Sequence, residues 1–97
     1  MVKSMTPETR VRKNASVVVR ELAEGEGAVL LHLETGAYHG MNPVALIIWE
    51  FMDGERTVAD LIEGVRGRVL NAPPHVDRDV IAFLESAINR DLVHVLD

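Results

Sequence analysis

Residues 28–52 read AVLLHLETGAYHGMNPVALIIWEFM, and the apolar period changes inside them. Ala28 to Leu33 is an apolar run of strand length. Thr35-Gly36 offers a tight turn, and Ala37 to Met41 makes a second short run, so the pattern up to Met41 is a hairpin. From Asn42 onward the spacing is helical. Val44, Ile47, Ile48, Phe51 and Met52 fall at i, i+3, i+4, i+7 and i+8. Asn42 suits the N-cap, and Pro43 suits the first helical position, where the N–H it lacks would be unpaired anyway. Leu46 and Trp49 lie off the stripe, which predicts a helix buried on more than one side.

Toward the N-terminus, Val17, Val18 and Val19 are β-branched and precede a turn signal, Glu24-Gly25-Glu26-Gly27. This adds a strand and makes a three-stranded antiparallel meander. Gly27, Gly36 and Gly40 are expected to supply unusual backbone angles at turns and bulges. Toward the C-terminus, Thr57-Val58-Ala59-Asp60 resembles a capping box with Asp in the place of Glu. Val58, Leu61, Ile62, Val65 and Val69 form a second helical stripe, weakened by Gly64 and Gly67 and closed by Asn71-Ala72-Pro73-Pro74. Asp77 is the expected cap of a third helix, with Val76 before it as a staple. Val80, Phe83, Leu84, Ala87 and Ile88 form that helix's apolar face. Leu92 to Leu96 is either its end or a brief strand. Three strands followed by three helices is an α+β order, similar to a winged helix-turn-helix. Residues 1–15 read as a flexible N-terminal segment and 16–97 as the folded domain.

The 97 residues are room for one domain, and 47% hydrophobic with 26% charged is a globular balance. The chain has no cysteine, which excludes disulfides, thiolate zinc sites, cysteine-bound iron–sulfur clusters and a cysteine nucleophile. A net charge of -5 disfavours nucleic acid as a partner, because phosphate binding needs Lys and Arg. Arg10, Arg12 and Lys13 are the only close basic cluster and read as a solvated tail. Val44 to Trp49 is too short to span a bilayer. Met1 to Asn14 lacks the apolar core of a secretory signal, so no membrane partner and a cytoplasmic location are expected.

Few residues invite chemistry. A two-residue turn at Thr35-Gly36 would set His32 opposite His39, giving part of a metal site, but no third ligand stands nearby. The carboxylates fall at turns, caps and exposed helix faces. No nucleophile elbow, phosphate-cradling loop or zinc-helix motif is present. The last helix offers Arg78, Asn89 and Arg90 against Asp77, Asp79, Glu85 and Asp91, a poor balance for a DNA-reading helix. A non-catalytic binding module without cofactor or metal is the expectation. A DNA-binding regulator and an enzyme using the two histidines are the alternatives from other classes.

One family fits the order of motifs. Leu30-Leu31-His32-Leu33-Glu34-Thr35-Gly36-Ala37-Tyr38-His39-Gly40-Met41-Asn42, then Ile48-Trp49-Glu50, Asp53-Gly54, Thr57-Val58, Asp79-Val80 and Phe83-Leu84, resembles the PqqD-like recognition elements. The resemblance spans roughly Ser16 to Val95. It implies a winged-helix-like domain that captures the leader of a ribosomal precursor peptide. The leader would add as a strand to Ala37, Tyr38, His39, Gly40 and Met41. It would lie in a groove lined by Val76, Val80, Phe83, Leu84 and Ala87. Such an edge offers unpaired backbone groups, and side-chain pockets beside it give selectivity. The stretch is most similar to stand-alone proteins of lasso-peptide biosynthesis, which implies a separate leader peptidase and a macrolactam-forming cyclase as partners. The alternative within the family is a peptide chaperone serving a radical SAM enzyme in pyrroloquinoline quinone synthesis. Several positions depart from the pattern, among them Pro43 after Asn42 and the two glycines of the second helix. His32 stands where an acidic residue is frequent, and Asp91 stands where glycine is common.

Overall fold

A computed structural model describes residues 5–68 and 75–96. The elements run β1 (Arg10–Lys13), β2 (Val17–Glu21), β3 (Ala28–His32), β4 (Tyr38–Met41), α1 (Pro43–Phe51), α2 (Val58–Arg68), α3 (Val76–Asn89) and β5 (Val93–Leu96). The α+β architecture expected from the sequence is present: an antiparallel sheet in the order β2-β3-β4, followed by three helices.

The hairpin register differs from the one a two-residue turn would give. The His32 N–H donates to the Ala37 carbonyl at 3.0 Å, so the loop is Leu33-Glu34-Thr35-Gly36. Tyr38 pairs with Leu31, and His39 pairs with Leu30 rather than His32. His32 pairs with Val17 on the other side. Gly27 and Gly36 adopt left-handed φ values of 87° and 75°, as a turn requires, but Gly40 does not. Gly27 is also needed for space, because a Cβ there would collide with the Met41 carbonyl at the end of β4.

The helix starts follow from their caps. Asn42 Oδ1 accepts the Ala45 N–H at 2.8 Å. Thr57 and Asp60 exchange side-chain-to-backbone bonds of 3.0 and 3.2 Å, a capping box with Asp doing the work of Glu. On α3 the expected cap is displaced by two residues: His75, not Asp77, is the N-cap, and it makes no side-chain cap bond. The helix begins at Val76, which is buried, and Asp77 sits in the first turn, where its charge suits the helix dipole. On α1 the buried residues are Ala45, Ile48 and Trp49, so the face is rotated from the Val44/Ile47 stripe toward the off-stripe Trp49. The end of the second stripe, Val69, and the Asn71-Ala72-Pro73-Pro74 stop lie outside the described residues.

Arg10–Lys13, read from the sequence as part of a flexible tail, is a strand. It pairs with β5 from Arg10↔Leu96 to Lys13↔Val93, and Val11 is 1% exposed. Lys13 Nζ stands 5.2 Å over the Trp49 ring, and Val58 donates to the Thr9 carbonyl at 2.8 Å, which fastens β1 to the helices. The core gathers Leu30 from the sheet, Ile48 and Leu61 from α1 and α2, Val80 and Leu84 from α3, and Val93 from β5. Each such side chain contributes roughly 1.5–3 kcal/mol by leaving water. No helix among the described residues is long and apolar enough to cross a membrane.

Candidate functional site

β4 is an edge strand, and its open side faces α3. Its free backbone groups can be assigned. Antiparallel ladders alternate hydrogen-bonded and open pairs. The His32–Ala37 bond makes Leu30–His39 and Ala28–Met41 the bonded pairs of this ladder. The same parity holds on the other side of β3, where Leu33 donates to the Ser16 carbonyl. Tyr38 and Gly40 therefore point their N–H and C=O groups away from β3, toward whatever adds to the edge. Unpaired groups of this kind are what an extended peptide satisfies.

Beside the edge runs a channel in two parts that share Phe83. One hollow of 350 Å³ lies between the start of α1 and α3, against Asn42, Val44, Ile48, Asp79 and Phe83. A smaller one of 80 Å³ follows His39, Gly40 and Met41 and is closed by Phe83, Ser86 and Arg90. From α3 and its C-cap Arg90, the more exposed residues of this face are Asp79, Ala82, Phe83, Ser86 and Arg90. Their spacing of i, i+3, i+4, i+7 and i+11 is one helical face. Ala82 and Ser86 are short and leave room, and Phe83 forms the wall. The two charged side chains on this face stand at opposite ends. Asp79 is near α1, and Arg90 donates to His39 Nδ1 at 3.0 Å. The channel is therefore electrically polarised along its length.

A family model described as Coenzyme PQQ synthesis protein D (PqqD) matches residues 27–93, well over half of the chain. The chain belongs to the PqqD family. No curated protein matches it. Two solved structures share its fold. One, TbiB1 in complex with the TbiA(beta) leader peptide, is 26% identical, with a TM-score of 0.71 over 86% of this chain and 94% of that one. The other, a lasso peptide synthetase B1 complexed with the leader peptide, is 20% identical, with a TM-score of 0.71 over 88% of this chain and 98% of that one.

In this PqqD-family chain the expected peptide-binding residues separate by depth. Tyr38 and Gly40 are exposed, His39 and Ala37 are half-buried, and Met41 is buried. Ala37 precedes the strand and pairs through its carbonyl only. On α3, Phe83 borders both hollows. Val76 and Ala87 border one each from below, at 1% and 2% exposure. Val80 and Leu84 are fully buried and present no surface, so they belong to the core. Reading the apolar stripe alone merged the core face with the channel face. The neighbouring 79/82/83/86/90 face carried the missed residues, and its signal was two small side chains beside an aromatic.

The histidines do not form a pair. Among the described residues, His32, Glu34 and Asp91 each bring one ligand atom within 4.8 Å of the others. The bonding there is structural, however. The Glu34 N–H donates to His32 Nδ1 at 3.2 Å, so Nε2 carries the proton and donates to Asp91 Oδ2 at 3.1 Å. A metal-bound imidazole instead donates from its second nitrogen to an acceptor. Here that second nitrogen meets a donor.

Proposed function

We propose that this protein is a non-catalytic adaptor that binds the leader segment of a ribosomal precursor peptide by strand addition to β4. We further propose that it delivers the bound precursor to a separate leader peptidase in lasso-peptide biosynthesis, in the cytoplasm. The observation that carries the reading is the open β4 edge, with the outward backbone groups of Tyr38 and Gly40 unpaired among the described residues, beside the Phe83-walled channel. Membership of the PqqD family supports it, as does the likeness to TbiB1, a protein solved with a leader peptide bound. Binding on one protein and chemistry on another gains rate by concentrating the substrate at the enzyme. The family description keeps a second reading in place, a chaperone for a radical SAM enzyme in coenzyme PQQ synthesis.

The test is a fluorescence-anisotropy titration with the leader of a lasso-type precursor peptide. Intact leader should saturate. Leaders carrying proline at a residue that faces Tyr38 or Gly40 should not, because proline has no N–H to give the edge. Saturation by a PQQ-type leader alone would move the protein to the second reading. Equal binding of intact and proline-bearing leaders would overturn strand addition.

A further inference from the structure

Gly40 has no explanation within the fold. Its φ is not left-handed, so no turn or bulge demands glycine there. A Cβ built at Gly40 meets nothing within 4 Å among the described residues, so none of them forbids a side chain. Glycine inside a strand weakens it, and it often marks a site where a ligand or another backbone approaches closely.

The register says which face that approach uses. Gly40 pairs with Val29, which pairs with Arg20, and all three share the face turned away from the helices. The adjacent row on this face is Tyr38–Leu31–Val18. Tyr38 is 72% exposed and Val18 is 45% exposed. Between the rows lies a mostly apolar hollow of 530 Å³ bordered by Val18, Arg20, Val29, Leu31 and Tyr38. A strand added to β4 in either direction alternates its side chains. Residues facing His39 and Met41 enter the α3 channel. Residues facing Tyr38 and Gly40 emerge on this outer face.

We infer that Gly40 forms a notch that selects a bulky apolar side chain on the outward face of the added peptide, seated across the glycine against Val29 and Tyr38. The inference rests on the strand-addition reading above. An aromatic or large aliphatic side chain can lean over an edge glycine and restore the contact that glycine lacks. Diagonal and cross-strand neighbours lie within reach of such side chains. The peptide would then be read on both faces, by the α3 channel within and by the Gly40 notch without.

The test is selection of a randomised displayed peptide library against the wild-type protein and against Gly40→Val and Gly40→Ala. Both substitutions should fold, since the new Cβ has free space. Thermal melting of each variant checks that the fold survives. Wild-type binders should share a Phe, Tyr, Trp, Leu or Ile at one position. Its replacement by Ala in a synthetic binder should weaken binding about three- to tenfold. Gly40→Val should impose the same loss on the parent peptide and almost none on the Ala peptide. Binders with no preference at any outward position, or a preference that Gly40→Val leaves unchanged, would overturn the notch while strand addition stands. Failure to recover any binder would overturn strand addition and the notch with it. A wild-type dimer that Tyr38→Ser dissolves would give this face to a second copy of the chain, and would also overturn the inference.

Discussion

Asp91 Oδ2 lies 3.1 Å from His32 Nε2, tying the end of α3 to the central strand of the sheet. Asp91 occupies the left-handed position just past the helix, at φ 60°. Around it, Leu92 donates to the Ala87 carbonyl at 2.9 Å and Asp91 to Ile88 at 3.1 Å, the paired bonds of a Schellman ending. Glycine is the usual residue there because a Cβ is strained at positive φ. The aspartate offsets that strain by accepting from His32 and His94 while its carbonyl accepts the Asn14 amide at 2.7 Å. His32 and Asp91, two of the positions singled out in the sequence, are thus joined by one hydrogen bond. Thermal melts should rank Asp91→Asn above Asp91→Gly, and Asp91→Ala lowest, since alanine keeps the strain and loses the bonds. If Gly and Ala melt together, the backbone strain is absent.

The same contacts give a pH dependence. The hydrogen bond from His94, then that from His32, holds the Asp91 carboxyl below its ordinary value of 3.8. The unfolded chain therefore takes up this proton first as the pH falls. The stabilisation is fully present above the ordinary value and is lost as the pH drops through the lowered one. Asp53 adds a second such group, lowered by the backbone N–H groups of Glu55 and Arg56. Stability measured against pH should fall on the acid side, and Asp91→Asn and Asp53→Asn should each make that fall shallower. Above about pH 5 the Asp53→Asn profile should run parallel to that of the wild type. An acid limb that neither substitution alters would assign it to other carboxylates.

Gly64 and Gly67 both weaken α2 on propensity grounds, yet their surroundings differ. A Cβ at Gly64 would stand 3.1 Å from the Phe51 ring, whereas one at Gly67 meets nothing among the described residues. Phe51 is held in place, with the guanidinium of Arg56 at 5.3 Å and that of Arg68 at 5.9 Å from its ring. Gly67→Ala should therefore stabilise the protein by up to about 1 kcal/mol. Gly64→Ala should lower stability, because displacing Phe51 outweighs the propensity gain. Urea denaturation of the two variants decides it.

The helices were legible because their apolar stripes are long and their caps are local. Asn42-Pro43 and Thr57–Asp60 needed only near neighbours in sequence. The hairpin was legible as a hairpin but not in register, since Thr35-Gly36 looks like a two-residue turn and the loop is Leu33–Gly36. β1 was invisible for a different reason. Arg-Val-Arg-Lys holds one apolar residue and no period, and its strand form comes from pairing with β5 at the far end of the chain. A measurable consequence sits on Val11. Val11→Ala should cost about 2 kcal/mol, as for a buried side chain rather than a tail. A loss within experimental error would return the segment to a tail.

Phe83 and Leu84 are neighbours in sequence with different work to do. Leu84 is fully buried, and Phe83 is half-buried with its ring against both hollows. Leu84→Ala should cost about 2–5 kcal/mol of stability, as core truncations do. Phe83→Ala should cost less, because part of its ring already meets water, and its main effect should be on binding. A leader titrated into folded Phe83→Ala should bind about tenfold or more weakly, the behaviour of an aromatic anchor in a pocket. The same leader should bind the folded fraction of Leu84→Ala almost as well as wild type. Comparing melting curves and binding isotherms of the two variants separates core from channel. If both variants lose stability alike and bind alike once folded, Phe83 is core and the channel beside β4 has no wall.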